Sequence, residues 1–118
     1  MPHSTQMSAE MRECINNCLN CYASCVETKS HCLGMGGEHA SKDHQTLLAD
    51  CAQACITSAD FILRLSPHHL SYCEICAELC RACADECERL GSNDSTMLQC
   101  ADACRNCGES CAKMAAMR

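Results

Sequence analysis

The sequence predicts an all-α protein, an antiparallel up-down-up-down four-helix bundle with a cysteine-lined core. Sixteen of the 118 residues are cysteine. Within each group these cysteines follow one another at steps of three and four, apart from one step of seven between Cys25 and Cys32. Such steps keep side chains on one face of a helix, whereas a strand would need steps of two. Glycine and proline divide the chain into four long segments. We interpret residues 1–118 as one domain, since this length suits a single compact unit.

An internal repeat supports the number of helices. The pattern C-x3-C-x2-C-x3-C begins at Cys14, at Cys76 and at Cys100. A fourth, eroded copy keeps the same register with Cys51, Cys55, Ser58 and Ile62. Four copies of one helix in a short chain predict four equivalent members of a bundle.

The first two helices are bounded by a glycine-rich segment. The first is predicted over residues 6–32, ending before the run Leu-Gly-Met-Gly-Gly, with Gly34 as the C′ residue that closes it. The second is predicted over residues 42–65, with Ser41 as its N-cap.

The last two helices are bounded by proline and glycine. The third is predicted over residues 67–90, with Pro67 at its first position and Gly91 after its end. The fourth is predicted over residues 95–116, capped by one of residues 92–95. Short connections between long helices favour antiparallel neighbours.

Composition narrows the possible partners and the compartment. A net charge of −6 argues against nucleic acid, which needs a basic face. The N-terminus has no basic start and no apolar run, so we expect no secretory signal. The sequence has no run of eighteen apolar residues, so we expect no membrane span. The expected compartment is the cytoplasm, where thiols stay reduced, which favours metal binding over disulfides.

The cysteine spacing favours Cu(I). Thiolates three or four positions apart on a helix have Cβ atoms about 5–6 Å apart, and two sulfurs can converge on one soft ion of low coordination number. Zinc instead needs a closed tetrahedron of ligands. If each thiolate bridges two ions, capacity approaches the cysteine count, roughly 10–16 Cu(I), and about half of that if thiolates are not shared. Protonated cysteine packs as a small hydrophobe, so the metal-free bundle is expected to stay folded.

All sixteen cysteines are candidate metal ligands. They are Cys14, Cys18, Cys21, Cys25 and Cys32 in the first helix, Cys51 and Cys55 in the second, Cys73, Cys76, Cys80, Cys83 and Cys87 in the third, and Cys100, Cys104, Cys107 and Cys111 in the fourth.

Two other classes of function stay open at this point. A zinc or iron–sulfur protein would hold few metals at a defined site, and a thiol redox protein would cycle cysteine pairs across the bundle. The triplet of Cys14, Cys18 and Cys21 matches the spacing of radical enzymes that use S-adenosylmethionine, but those need a much larger barrel. Ferredoxins hold their iron–sulfur clusters with the pattern C-x2-C-x2-C-x3-C-P on loops, and neither that spacing nor the proline occurs in this sequence. The chain carries no Ser/His/Asp set and no phosphate loop, so we expect a binding protein and no enzyme.

The two ends of the predicted bundle differ. The end that collects both long loops carries additional soft or nitrogen donors, whereas Ile62 in the second helix suggests an apolar plug at the opposite end. His44 lies seven residues before Cys51 and Met97 three before Cys100, so both should face inward. The candidate ligands at this mouth are His44, Met97, His39 and Met35. We expect copper to enter there.

The cysteine-lined helices, with C-x3-C-x2-C-x3-C on three of them, resemble the bacterial copper storage proteins over nearly the whole chain. The missing signal peptide makes the chain similar to the cytosolic branch. The resemblance implies a preformed four-helix bundle, multinuclear Cu(I) on the sixteen inward cysteines, and a homotetramer. Proteins that donate or accept copper are further expected partners. The second helix departs from the pattern, since it keeps only two cysteines, which puts full occupancy at one end in question.

Overall fold

The computed structural model describes residues 6–117 and places four helices in the predicted order. They are α1 (Ala9–Met35), α2 (Lys42–Leu63), α3 (His69–Leu90) and α4 (Ser95–Ala116), with a short 3-10 turn at Gly37–Ala40 between the first two. Each helix packs against two neighbours, in the cyclic order α1, α2, α3, α4. The fold class predicted from the sequence is confirmed.

Sulfur contacts between helices show that neighbours run in opposite directions. Near one end of the bundle Cys14 of α1 contacts Cys111 of α4, and further along Cys25 contacts Cys100. Increasing numbers in α1 therefore meet decreasing numbers in α4. This arrangement gathers the α1–α2 and α3–α4 connections at one end, which we call the loop end.

The boundaries of α1 differ from the prediction at both ends. Ser8 has an extended backbone and its hydroxyl accepts from the Met11 amide, so the helix begins at Ala9 rather than at residue 6. Gly34 lies within the helix, and its predicted role as the C′ residue was wrong. Gly36 closes the helix instead, with φ +73° and its amide donating to the carbonyl of Cys32. A positive φ favours glycine, and Gly36 is the first glycine at which the chain needs one.

The α2–α3 connection is longer than predicted. Ser41 is the N-cap of α2 as expected, because its hydroxyl accepts from the His44 amide. The helix ends at Leu63, two residues early, and α3 begins at His69, so the predicted placement of Pro67 at its first position was wrong. Ser66 explains the delay: its hydroxyl accepts from the His68 amide, and this local turn holds the segment outside the helix.

The α3–α4 connection follows the prediction. The third helix ends at Leu90 and Gly91 caps it, donating to the Cys87 carbonyl. Asp94 is the residue that caps α4, since one carboxylate oxygen accepts from the amides of Thr96 and Met97.

Cysteine fills the core. All sixteen cysteine side chains are fully buried, and all are free thiols. Alanines such as Ala59, Ala84 and Ala101 lie between them and let the helices approach closely. A core built of such small side chains brings cysteine sulfurs of different helices within 4 Å of one another.

Among the helices that the structure describes, α2 has the length and composition of a possible membrane-crossing segment, with a mean hydropathy of 1.3 over its most apolar window. Leucine, isoleucine and phenylalanine contribute most of that value, and alanine and cysteine add to it. The helix packs between α1 and α3 and buries Cys51 and Cys55 in the core. Core helices of bundles commonly meet the same criterion.

Candidate metal centre

The four helices bring the cysteine sulfurs together in a continuous column. Cys21 Sγ of α1 lies 3.6 Å from Cys104 Sγ of α4 and 4.0 Å from Cys80 Sγ of α3. Cys80 Sγ in turn lies 3.7 Å from Cys51 Sγ of α2. The column therefore takes sulfur from every helix at the same level.

Sets of four sulfurs repeat along this column. In each set the four sulfur atoms lie within 4.8 Å of one another, which suits a shared metal ion. We call the end of the bundle opposite the loop end the far end. In order from the far end to the loop end, five such sets are Cys18/Cys76/Cys107/Cys111, Cys55/Cys76/Cys80/Cys107, Cys21/Cys51/Cys55/Cys80, Cys21/Cys25/Cys51/Cys104 and Cys25/Cys83/Cys100/Cys104.

Each of these sets shares two cysteines with the next. Cys76 and Cys107 belong to the first two sets, and Cys25 and Cys104 to the last two. The sets are thus links of one ladder rather than separate tetrahedral sites. Such an arrangement provides bridging thiolates, which let many monovalent ions fill a narrow interior while the charges stay close to balance.

Eleven of the sixteen thiols have a raised pKa, whereas hydrogen bonds from neighbouring thiols lower the pKa of the other five, which are Cys14, Cys21, Cys51, Cys76 and Cys100. Burial raises the pKa of Cys32 to about 11, and the negative charges of Asp94 and Cys100 add to the effect. Hydrogen bonds with Cys111 and Cys14 raise the pKa of Cys73, and burial adds to them. A neutral thiol packs without a charge to solvate, so the column is compatible with a folded metal-free state. A metal ion that binds these sulfurs must displace their protons.

The far end of the column, opposite the loop end, is closed by apolar side chains. Cys14 Sγ lies 3.6 Å from Cys111 Sγ, and beyond them Ile62 and Met114 are buried. Ser58 occupies the eroded cysteine position of α2; it is fully buried and its hydroxyl has no hydrogen-bond partner. The predicted apolar plug has its counterpart in these buried residues.

At the loop end the column meets two different donors. Cys32 Sγ lies 3.4 Å from His44 Nε2 and 3.3 Å from Met97 Sδ. Met97 is fully buried and His44 is 3 % exposed, so both side chains face inward as the register suggested. Burial lowers the pKa of His44, which favours the neutral imidazole that a metal requires.

The two other candidates at the mouth lie further out. His39 belongs to the 3-10 turn and is half-buried, with its Nε2 atom buried and without a hydrogen-bond partner. Its ring centre lies 6.4 Å from that of His44. Met35 is the last residue of α1 and its side chain is exposed.

A pair that the sequence did not reveal braces this mouth. His31 Nε2 lies 2.7 Å from Asp94 Oδ2, which links α1 to the start of α4. The hydrogen bond from His31 lowers the pKa of Asp94. Because Asp94 also caps α4, the pair fixes Met97 relative to Cys32. Asp94 was already a candidate cap in the sequence, but no pattern connects it with a histidine 63 positions earlier.

Comparison with known proteins agrees with this geometry. The family model described as copper storage protein matches residues 7–116. The chain is 34 % identical over 74 residues to the uncharacterized cysteine-rich protein YhjQ of Bacillus subtilis strain 168, covering 63 % of this chain and 68 % of that one.

Solved structures share the whole bundle. The Nmul_A1745 protein of Nitrosospira multiformis superposes with a TM-score of 0.87 at 41 % identity, covering 92 % of this chain and 97 % of that one. The Cu(I)-bound copper storage protein BsCsp3 gives 0.80 at 31 % identity, over 90 % and 98 % of the two chains. A cytosolic copper storage protein from Streptomyces lividans, solved with five coppers, gives 0.81 at 28 % identity, over 91 % and 92 %. A family match over nearly the full length, joined to an interior of sixteen buried free thiols, places this chain in the copper storage protein family.

Proposed function

We propose that this protein binds many Cu(I) ions in its interior and holds them in the cytosol, as a store or as protection against excess copper. The observation that carries the proposal is the ladder of four-sulfur sets in which neighbouring sets share two cysteines. Sulfur is the ligand that Cu(I) prefers, and shared thiolates suit a soft monovalent ion. All sixteen buried cysteines are the proposed ligands.

Family membership supports storage rather than catalysis. The relatives BsCsp3 and the Streptomyces lividans protein are described as a copper storage protein bound to Cu(I) and as a cytosolic copper storage protein with five coppers. The described part of the chain provides a dense interior of sixteen buried free thiols. Copper is therefore the cargo, and proteins that donate or accept it are the natural partners.

An anaerobic titration of the fully reduced, metal-free protein tests this function. We expect roughly 10–16 equivalents of Cu(I) to be retained against a strong Cu(I) chelator, because shared thiolates raise capacity towards the number of cysteines. Circular dichroism during the titration is expected to show a helical protein from the start.

Zn(II) titrated in parallel provides the control. A plateau at one to four equivalents of Cu(I), or tighter retention of zinc or iron, would replace storage with a discrete cluster site. Cysteines that oxidise in pairs and hold copper weakly would favour the thiol redox alternative.

We also propose a homotetramer, as the family resemblance implies. Apolar side chains that one chain leaves exposed support an assembly; they include Leu19, Val26, Leu33, Leu63 and Ile75. Sedimentation of the same titrated sample distinguishes a tetramer from a monomer.

Copper enters at the loop end in this proposal. Cys32, His44 and Met97 are in contact there, whereas Ile62 and Met114 close the far end. His39 and Met35 are proposed as outer donors on the same side.

Replacing Met97 with leucine tests where copper enters. Met97→Leu keeps the volume of the side chain and removes its sulfur, so copper loading from a chelator is expected to slow several-fold while the final capacity changes by no more than about one ion. Met114→Leu makes the same change at the far end and is expected to load at the normal rate. Slower loading in Met114→Leu than in Met97→Leu would move the mouth to the opposite end.

A further inference from the structure

Neighbouring four-sulfur sets of the ladder share their cysteines in a regular order. Each of the three inner sets consists of two shared pairs and of no other cysteine. Successive pairs join α3 to α4, α2 to α3, α1 to α2 and α1 to α4, so that they pass once around the bundle. Counted from the far end, the four pairs are Cys76/Cys107, Cys55/Cys80, Cys21/Cys51 and Cys25/Cys104.

The sulfur separations in these pairs match the edges of a tetrahedron around a divalent ion. Zn(II) binds four ligands in a closed tetrahedron, and with a zinc–sulfur bond of about 2.3 Å the four sulfurs lie about 3.8 Å apart. In three of the shared pairs the two sulfurs are 3.8 Å, 3.8 Å and 3.9 Å apart. In the remaining pair, Cys21/Cys51, they lie within 4.8 Å of each other. The structure therefore holds a series of tetrahedra in which neighbours share an edge.

The charge of the interior favours filling every set in the series. The five sets contain twelve different cysteines, because four pairs are shared. Divalent ions in the three alternate sets that share no sulfur leave a net charge of −6 on twelve thiolates, whereas ions in all five sets leave −2. Unbalanced charge in an apolar interior is costly. Successive sets filled through bridging thiolates are therefore the better balanced arrangement.

The length of the ladder suits this number of ions. Cys18 of the first set and Cys25 of the last are seven residues apart in α1, which is about 10 Å along the helix axis at about 1.5 Å per residue. Four steps of about 3 Å, each turning partly around the bundle axis, cover that length. Divalent ions at this separation need negative ligands between them, and the two sulfurs of each shared pair supply these.

We propose that the metal-free protein also binds divalent tetrahedral ions, Zn(II) in particular, as a chain of about five ions in which neighbours share two bridging thiolates. The ions displace the thiol protons, which pass to the solvent. Cu(I) is the softer ion and displaces Zn(II) from the same sulfurs. The protein thus buffers divalent thiol-binding metals while copper is scarce, a function that goes beyond copper storage.

Titration of the reduced, metal-free protein with Zn(II) against a zinc chelator tests this chain. The wild type is expected to retain about five equivalents, one for each set. Cys80 belongs to two sets, so Cys80→Ala is expected to lose about two of these ions. Cys87→Ala is the matched control, since it removes a buried cysteine outside the five sets and is expected to keep the wild-type plateau. Circular dichroism checks that both variants are folded.

NMR of the wild-type protein loaded with Cd(II), enriched in an NMR-active cadmium isotope, reads out the bridges directly. About five cadmium resonances are expected in the range of four-sulfur coordination, one for each set, with couplings between neighbouring ions through the shared thiolates. Resonances without such couplings, a Zn(II) plateau of about three or fewer as for isolated tetrahedral sites, or equal Zn(II) losses in Cys80→Ala and Cys87→Ala would overturn the chain. A low Cu(I) capacity would instead overturn the storage function and leave these results unchanged, so the two failures are distinguishable.

Discussion

Saturation of the reduced protein with Cu(I) is expected to raise its melting temperature by about 20 °C or more while the helix content stays constant. The metal-free core is already packed, with every cysteine fully buried. An ion that binds only the native state stabilises it by about 2.7 kcal/mol per site at a hundredfold excess over its dissociation constant. Several such sites together exceed the 5–15 kcal/mol that hold a typical domain folded. Thermal unfolding under anaerobic conditions, followed by circular dichroism, measures the effect.

The size of this stabilisation should depend on pH. The pKa of Cys32 is raised to about 11, so copper must displace its proton at neutral pH, and the copper-dependent gain falls as pH falls. The stability of the metal-free protein depends on pH in the opposite direction. The raised pKa of Cys32 means that the folded state holds this proton more tightly than the unfolded state does. The contribution of Cys32 is then complete below its ordinary pKa of 9.0 and is lost as pH rises towards 11.

The same experiment separates this protein from small zinc domains, which are unfolded without their metal. The melting temperature of the copper-loaded protein is compared with that of the metal-free protein. A sample with Zn(II) in place of Cu(I) is the matched control. A metal-free chain that lacks helix and folds only on addition of metal would contradict the expectation.

Gly91→Ala is expected to destabilise the protein by about 2–3 kcal/mol. A Cβ atom at this position would overlap Cβ and Cγ of Met97 and would lie 3.1 Å from the carbonyl oxygen of Cys87. Because Met97 Cβ is anchored to the backbone of α4, the helix itself must shift to relieve the overlap. Urea unfolding of the metal-free protein measures the loss of stability, and slower copper loading is expected as well, since the sulfur of Met97 moves away from Cys32.

Gly34→Ala is the matched control. Gly34 lies within α1 and a Cβ atom there would meet nothing within 4 Å. Alanine is the better helix former, so stability is expected to stay constant or to rise by about 0.5–1 kcal/mol. Equal losses in the two variants would show that the Gly91 contact with Met97 is unimportant.

The spacing of the cysteines was enough to predict which face of each helix is buried. Steps of three, four and seven place the cysteines of each helix on one face, and the structure buries all sixteen. The same register correctly placed His44 and Met97 inward. Ser41 and Gly91 also act as predicted at their helix ends, because each contributes through its own local chemistry. The fold class and the family follow from these patterns.

Helix ends that depend on competing local bonds were harder to predict. Pro67 satisfied the rule for a first helical residue, yet the Ser66 hydroxyl bonds the His68 amide and delays α3 to His69. Gly34 was predicted to close α1, yet the helix continues past it and the chain first takes a positive φ at Gly36. Residue preferences at helix ends indicate which residues can end a helix, and the hydrogen bonds of the surrounding turn determine which one does.

Which cysteines contact one another across the bundle depends on how the four helices pack. A periodic pattern fixes the face of a helix but leaves its shift along the bundle axis free, and that shift is set by the connections and by packing. The shared four-sulfur sets and the brace between His31 and Asp94 depend on that axial alignment. The sequence therefore determined that this protein has a thiol interior, and the packing of four helices determined how its sulfurs and histidines are arranged.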